Sequence, residues 1–264
     1  MPRKKNFYNR IEKKILIENR NGGNHNGNHN NNGTNGNEYG VIKNNGNRIG
    51  NNHEDIIMKG PTPVNNEQKE LIRSIINNQI TFVSGCAGVG KTFVSVLYGM
   101  VELQKDTYKR IILTRPCVEA NGERLGYLPG TSTDKLSVYM FPIFDILSER
   151  VPQSIINKYV EDKRIITLPL AFMRGVSFNN AYVFCDEAQN MSKEQMRLLL
   201  TRIGKNSKVV CVGDVKQSDI QGKNGLVDAI ERFRGIDSIG IVELTSESIV
   251  RNPLIKIIEE RYDL

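Results

Sequence analysis

The run Gly85-Cys86-Ala87-Gly88-Val89-Gly90-Lys91-Thr92 has the residue types and spacing of a loop that wraps phosphate. Its glycines let backbone N–H groups curve round phosphate oxygens, Lys91 offers a compact positive charge to the outer phosphates, and the Thr92 hydroxyl suits a Mg²⁺ ligand. The apolar run ITFVS precedes it and FVSVLYGMVEL follows. That strand, loop, helix setting separates it from a glycine-rich turn that happens to end in Lys-Thr. The expected ligand is ATP with Mg²⁺, bound by Gly85 to Thr92.

Further along, AYVFC leads into Asp186-Glu187-Ala188-Gln189, placing two carboxylates after a buried strand. Ligands gather at that end of a parallel sheet. Asp186 is expected to hold Mg²⁺ through its water shell with Thr92, and Glu187 to orient and polarise the attacking water. Adjacent acids also favour the positive end of a helix. The two readings are compatible. A third apolar run, KVVCV, ends in Gly213-Asp214-Val215-Lys216-Gln217. Gln217 is a candidate contact to the terminal phosphate or the catalytic water, although GDxxQ alone also describes a polar turn.

Positioning these groups takes a regular alternation of strands and helices. The apolar runs are 80–84, 110–114, 164–168, 181–185, 208–212 and 239–244, most of them continuously apolar as strands buried on both faces must be. Helical stretches lie at 93–104, 133–150, 153–162, 193–203 and 226–233. The expectation is an α/β domain with a largely parallel sheet.

That domain should occupy residues 53–264. Residues 1–52 are expected to be a basic segment followed by a disordered linker: from Asn19 the composition collapses to Asn and Gly, with too little apolar surface to offset chain entropy. His25 and His29 there have no acidic or thiol partners to suggest a metal site. Phe7, Ile11 and Ile15 recur at helical spacing. The formal charge is +7, of which residues 1–20 carry +5, so the folded domain is close to neutral. The basic stretch reads equally as a solvated helix and as a nucleic-acid arm. Cys86, Cys117, Cys185 and Cys211 show no CxxC pairing and read as reduced thiols. No apolar run of about 18 residues occurs, and the N-terminus does not have the pattern of a signal peptide. A soluble, cytoplasmic protein with no membrane partner is the expectation.

The order of the three motifs resembles that of superfamily 1 helicases. That resemblance implies a RecA-like domain and an adenine-side motif at Pro63 to Gln68, in which the Gln68 amide matches adenine's donor and acceptor pair. The sharper resemblance is to the PhoH family of phosphate-starvation-inducible ATPases. It rests on TRPCVEANGERLGYLPG from Thr114 to Gly130, with DEAQN, GDVKQSD and VRNPL, and covers residue 60 or so to the C-terminus. Ala120 and Asn121 stand where the family pattern has one residue.

The resemblance implies ATP hydrolysis coupled to single-stranded RNA or DNA, with Arg115 as a candidate nucleic-acid phosphate contact; a salt bridge from Arg115 to Glu119 or Glu123 reads equally well. Arg251 is the candidate transition-state arginine, its alternative being an ion pair with Glu247. Superfamily 1 helicases place ATP between two RecA-like domains and this chain has one. A second copy supplying Arg251 is therefore expected, in a homo-oligomer that the family resemblance suggests is a hexamer. The competing reading is a nucleotide-dependent switch that binds a protein partner without nucleic acid.

Overall fold

The computed structural model describes residues 58–116, 132–219, 222, 224–250 and 252–262. The expected N-terminal segment and its boundary at residue 52, the signature loop 117–131 and Arg251 lie outside these residues.

The strands are β1 Ile80–Gly85, β2 Arg110–Thr114, β3 Ile165–Thr167, β4 Ala181–Cys185, β5 Lys208–Gly213 and β6 Ile239–Leu244. They form one sheet in the order β3-β2-β4-β5-β1-β6, with every pairing parallel. The helices are α1 Asn66–Asn77, α2 Lys91–Gln104, α3 Ser132–Ser148, α4 Gln153–Glu161, α5 Lys193–Leu200, α6 Gly225–Phe233 and α7 Pro253–Tyr262. The α/β reading and the parallel sheet are therefore seen directly. Among the described residues no helix is long and apolar enough to cross a membrane.

Successive strand side chains point to opposite faces, and both faces are covered. In β4, Tyr182 and Phe184 join a core with Leu71 and Ile75 of α1, Val94 and Leu97 of α2 and Ile156 of α4. Val183 and Cys185 join the opposite core with Met196 and Leu199 of α5 and Leu226 and Ala229 of α6. Three layers follow. Because all six strands are parallel, the segments after Gly85, Thr114, Cys185 and Gly213 emerge on the same edge.

One contact fixes two of these segments relative to each other. The buried Tyr182 hydroxyl of β4 donates to Ser95 O in α2 at 2.8 Å. A Cβ at Gly99 would come within 2.5 Å of the Tyr182 ring, so glycine here allows the helix to sit on the strand.

Apart from shifts of one or two residues at element ends, the structure departs from the sequence reading in three places. β3 has three residues instead of five, because it pairs on one side only and Pro169 follows Leu168. Helix α5 stops at Leu200, not Ile203: Thr201 Oγ1 bonds back to Arg197 O at 2.9 Å, and Ile203 makes a parallel bridge to Phe178. Helix α7 was not anticipated.

The buried Lys208 ammonium at the start of β5 donates to the carbonyls of Ile75, Ile76 and Asn78, closing the C-terminal end of α1. Lys208→Met keeps the length of the stem and removes the donor. It is expected to lower stability by roughly 1–3 kcal/mol, the cost of leaving buried acceptors without a partner, as read from urea unfolding. An unchanged midpoint would contradict this.

Candidate functional site

The phosphate-type loop turns between β1 and α2. Gly90 sits at φ 87° immediately before α2, and a Cβ there would lie 2.7 Å from Gln68 Nε2. Gly85 is confined in another way, since a Cβ would meet Leu244 O of β6 at 2.7 Å. Helices α1, α5 and α6 begin with capping side chains from Asn65, Ser192 and Asn224, whereas α2 has no side-chain cap. Its first N–H groups and the positive end of its dipole are left facing the loop, which suits an anion.

Lys91 folds back over the loop and donates to Gly85 O at 2.7 Å and Cys86 O at 2.8 Å. The Thr92 hydroxyl donates to Asp186 Oδ1 at 3.0 Å, bringing together two oxygen donors that the sequence separates by 94 positions. Such a pair suits a hard cation that takes its remaining ligands from phosphate and water. Asp186 is only 6% exposed. Burial, then the neighbouring Glu187 charge, raises its carboxyl to about 6, against the opposing pull of Arg115, the Thr92 hydroxyl and the Glu187 N–H.

Glu187 adopts φ 51° and ψ 38°, a left-handed conformation that a non-glycine residue adopts at a cost of order 1–3 kcal/mol. Its two carboxylate oxygens have different partners. Arg115 Nη2 donates to Oε1 at 2.8 Å and Gln189 Nε2 donates to Oε2 at 2.6 Å. The sequence reading had offered Glu119 and Glu123 as ion-pair partners for Arg115. Those two lie outside the described residues; among the described residues Arg115 forms an ion pair with Glu187.

Gln189 was not singled out from sequence. It is 2% exposed, and its Oε1 accepts from Asp214 N at 3.0 Å while its Nε2 also reaches Gln217 O at 3.3 Å. A Cβ on Gly213 would lie 2.5 Å from Gln189 Oε1, so glycine at that strand end admits the amide. Gln217 itself is exposed, and it meets the carboxylate pair through its backbone and Gln189. Asp214 is also buried; its Oδ1 accepts from Lys216 N at 3.0 Å, and its Oδ2 has no hydrogen-bond partner among the described residues. The signal available in the sequence was a lone amide two residues after a carboxylate, with no indication of what it would reach.

Gln68 is 3% exposed, and its amide serves the loop: Nε2 donates to Val89 O at 3.0 Å, and Oε1 accepts from Val64 N at 3.1 Å. Next to it, the Glu67 carboxylate accepts from Thr245 N at 2.9 Å, Thr245 Oγ1 at 2.7 Å and the Ser248 hydroxyl. These bonds hold Glu67 below the usual carboxylate range even though partial burial raises it. Val250 N donates to Gly88 O at 3.0 Å, so the chain leading into Arg251 is pinned to the loop.

The residues from β1, β4 and β5 thus form one hydrogen-bonded group at the carboxyl edge of the sheet. It combines an anion cradle, a pair of hard oxygen donors and a second carboxylate bonded at both oxygens, which is equipment for handling a nucleotide's phosphates.

Comparison with known proteins is consistent with this equipment. A family model described as PhoH-like protein matches residues 62–263. A PhoH-like protein of Mycobacterium bovis is 44% identical over 197 residues, covering 74% of this chain and 56% of that protein. A PhoH-like protein of Bacillus subtilis is 41% identical over 198 residues, covering 74% of this chain and 62% of that protein. The match thus spans little more than half the length of these relatives. Among solved structures, the DUF1998 helicase MrfA bound to DNA superposes with a TM-score of 0.39 at 11% identity, over 69% of this chain and 27% of that one. That likeness is too low to bear on function.

Proposed function

The chain belongs to the PhoH-like protein family, and from that premise we propose that it hydrolyses ATP with Mg²⁺ and couples the hydrolysis to single-stranded RNA or DNA. The observation that carries the hydrolysis is the Thr92–Asp186 bond at the mouth of the loop with Glu187 beside it. Thr92 would hold Mg²⁺ directly and Asp186 through water, and the ion would neutralise charge on the outer phosphates. The loop N–H groups and Lys91 bind and orient those phosphates, and Glu187 takes the proton of the attacking water.

Gln217, whose backbone carbonyl is joined to Glu187 through Gln189, would relay the state of the terminal phosphate. Gln68, whose amide also bonds Val89 O and Val64 N, is read as the residue that hydrogen-bonds the adenine edge. Arg251 is read as the transition-state arginine contributed between copies of a cytoplasmic homo-oligomer, a hexamer by the family resemblance. The assay is Mg²⁺-dependent release of phosphate from ATP by the purified protein. Release no greater than that of Lys91→Ala protein would remove the reading.

A second reading, a nucleotide-dependent switch acting on a protein partner, is favoured by one observation. Leu254, Ile257 and Ile258 are exposed at helical spacing on α7, an apolar stripe of the kind a protein surface covers.

Asp186 gives this account a pH signature. A carboxyl with a folded pKa above its unfolded value adds stability below the unfolded value and loses that contribution as pH rises through the folded one, here about 6. Mg²⁺ next to the ionised carboxylate offsets the loss. Adding Mg²⁺ and ATP is therefore expected to raise Tm more at about pH 7.5 than at about pH 5. Equal shifts at both pH values, by scanning fluorimetry, would contradict it.

A further inference from the structure

Glu187 is bonded in a way that opposes the role proposed for it. A general base needs a carboxylate lone pair aimed at the attacking water, and each donor already bonded to the carboxylate restricts how it can turn. Here Arg115 holds Oε1 at 2.8 Å and Gln189 holds Oε2 at 2.6 Å. Both bonds involve a charged acceptor, and charge-assisted bonds are the strong ones.

The two clamps differ in what can release them. Gln189 is buried, accepts from Asp214 N through Oε1, and donates to Gln217 O through the same Nε2 that holds Glu187. Arg115 follows β2 on the ligand-gathering edge of the sheet; its side chain is 18% exposed and that of Glu187 is 37% exposed, so solvent reaches the ion pair. A guanidinium binds a phosphate at least as readily as a carboxylate, in the same forked geometry.

We propose that Arg115 is a gate on Glu187: the ion pair holds the glutamate inactive, and a backbone phosphate of single-stranded nucleic acid that takes the guanidinium releases the carboxylate to the attacking water. This rests on the ATP-hydrolysis reading above and specifies how the polymer would act on it. The group moved is a positioning residue, since Arg115 touches the base and not the water. A polymer at Arg115 and a water at Glu187 are thereby linked across one hydrogen bond, with no domain movement.

The test uses full-length wild-type, Arg115→Ala and Arg115→Lys proteins, with kcat and KM for ATP measured alone, with poly(U) and with poly(dT). Arg115→Ala is expected to raise the polymer-free kcat about tenfold, the effect of losing one charge-assisted bond, with KM unchanged. It should respond to neither polymer. Arg115→Lys, which retains the charge without the fork, should have a polymer-free kcat between those of wild type and Arg115→Ala and keep part of the stimulation.

An Arg115→Ala protein no faster than wild type at unchanged KM would overturn the gate, and so would a wild type indifferent to both polymers. A raised KM would also overturn it, by assigning the guanidinium to the nucleotide. If neither protein hydrolyses ATP, what fails is the underlying ATPase reading; if wild type hydrolyses ATP and the variant is no faster, only the gate fails.

Discussion

Glu187→Gln protein is expected to bind ATP as wild type does and to hydrolyse it about 10²–10⁴ times more slowly, the range for losing a positioned general base. The substitution is isosteric. The new amide oxygen can still accept from Arg115, and the Thr92–Asp186 pair at 3.0 Å and the phosphate loop do not involve the side chain that changes. What disappears is the basic oxygen that the proposed mechanism directs at the attacking water. Binding measured with a fluorescent ATP analogue and hydrolysis measured in a single turnover separate the two effects. A variant that hydrolyses ATP at the wild-type rate would take the base role away from Glu187, and one that loses binding would make Glu187 part of the loop's support.

Lys91→Ala is expected to fail at both steps. The ammonium is the fixed positive side-chain charge of the loop, held by Gly85 O and Cys86 O where phosphate oxygens would meet it. Removing one such preorganised electrostatic group lowers turnover by about 10²–10³-fold. ATP affinity should fall with it, because the interaction exists in the ground state too. The fold should survive: Lys91 opens α2, while the core contacts of that helix come from Val94, Leu97 and Met100. The checks are ATP titration, steady-state turnover and an unchanged urea midpoint. A variant that retains ATP affinity would overturn the assignment.

Much of this arrangement was legible along the chain because it is local. Strands 110–114, 181–185 and 239–244 appear with the bounds their apolar runs predict, since a strand covered on both faces leaves an uninterrupted hydrophobic signature. The phosphate loop and the two carboxylates were legible because each is a contiguous string attached to a strand end. Where the signal was weak the reading slipped, as at the three-residue edge strand Ile165–Thr167 and at Pro253–Tyr262, a helix mixing apolar and charged residues.

Pairings between strings were not legible. Arg115 and Glu187 are 72 positions apart and meet because the sheet order puts β2 beside β4. The Glu67 contacts to Thr245 and Ser248 likewise depend on β6 lying beside β1. Gln189 shows the limit most clearly. Its residue type suggested no role, and two of its three bonds arise because β5 lies next to β4, bringing Asp214 N and Gln217 O to the same amide. Composition and periodicity predict elements; strand order decides which side chains become neighbours, and no single segment encodes that order.

Steady-state ATP hydrolysis by the purified protein with Mg²⁺, as single-stranded RNA and then single-stranded DNA are titrated in, decides whether hydrolysis is coupled to a polymer. Mg²⁺-dependent hydrolysis is expected, with a kcat that climbs with at least one of the two polymers while KM for ATP stays level. Hydrolysis indifferent to both polymers would contradict the coupling and leave the switch on a protein partner as the better reading.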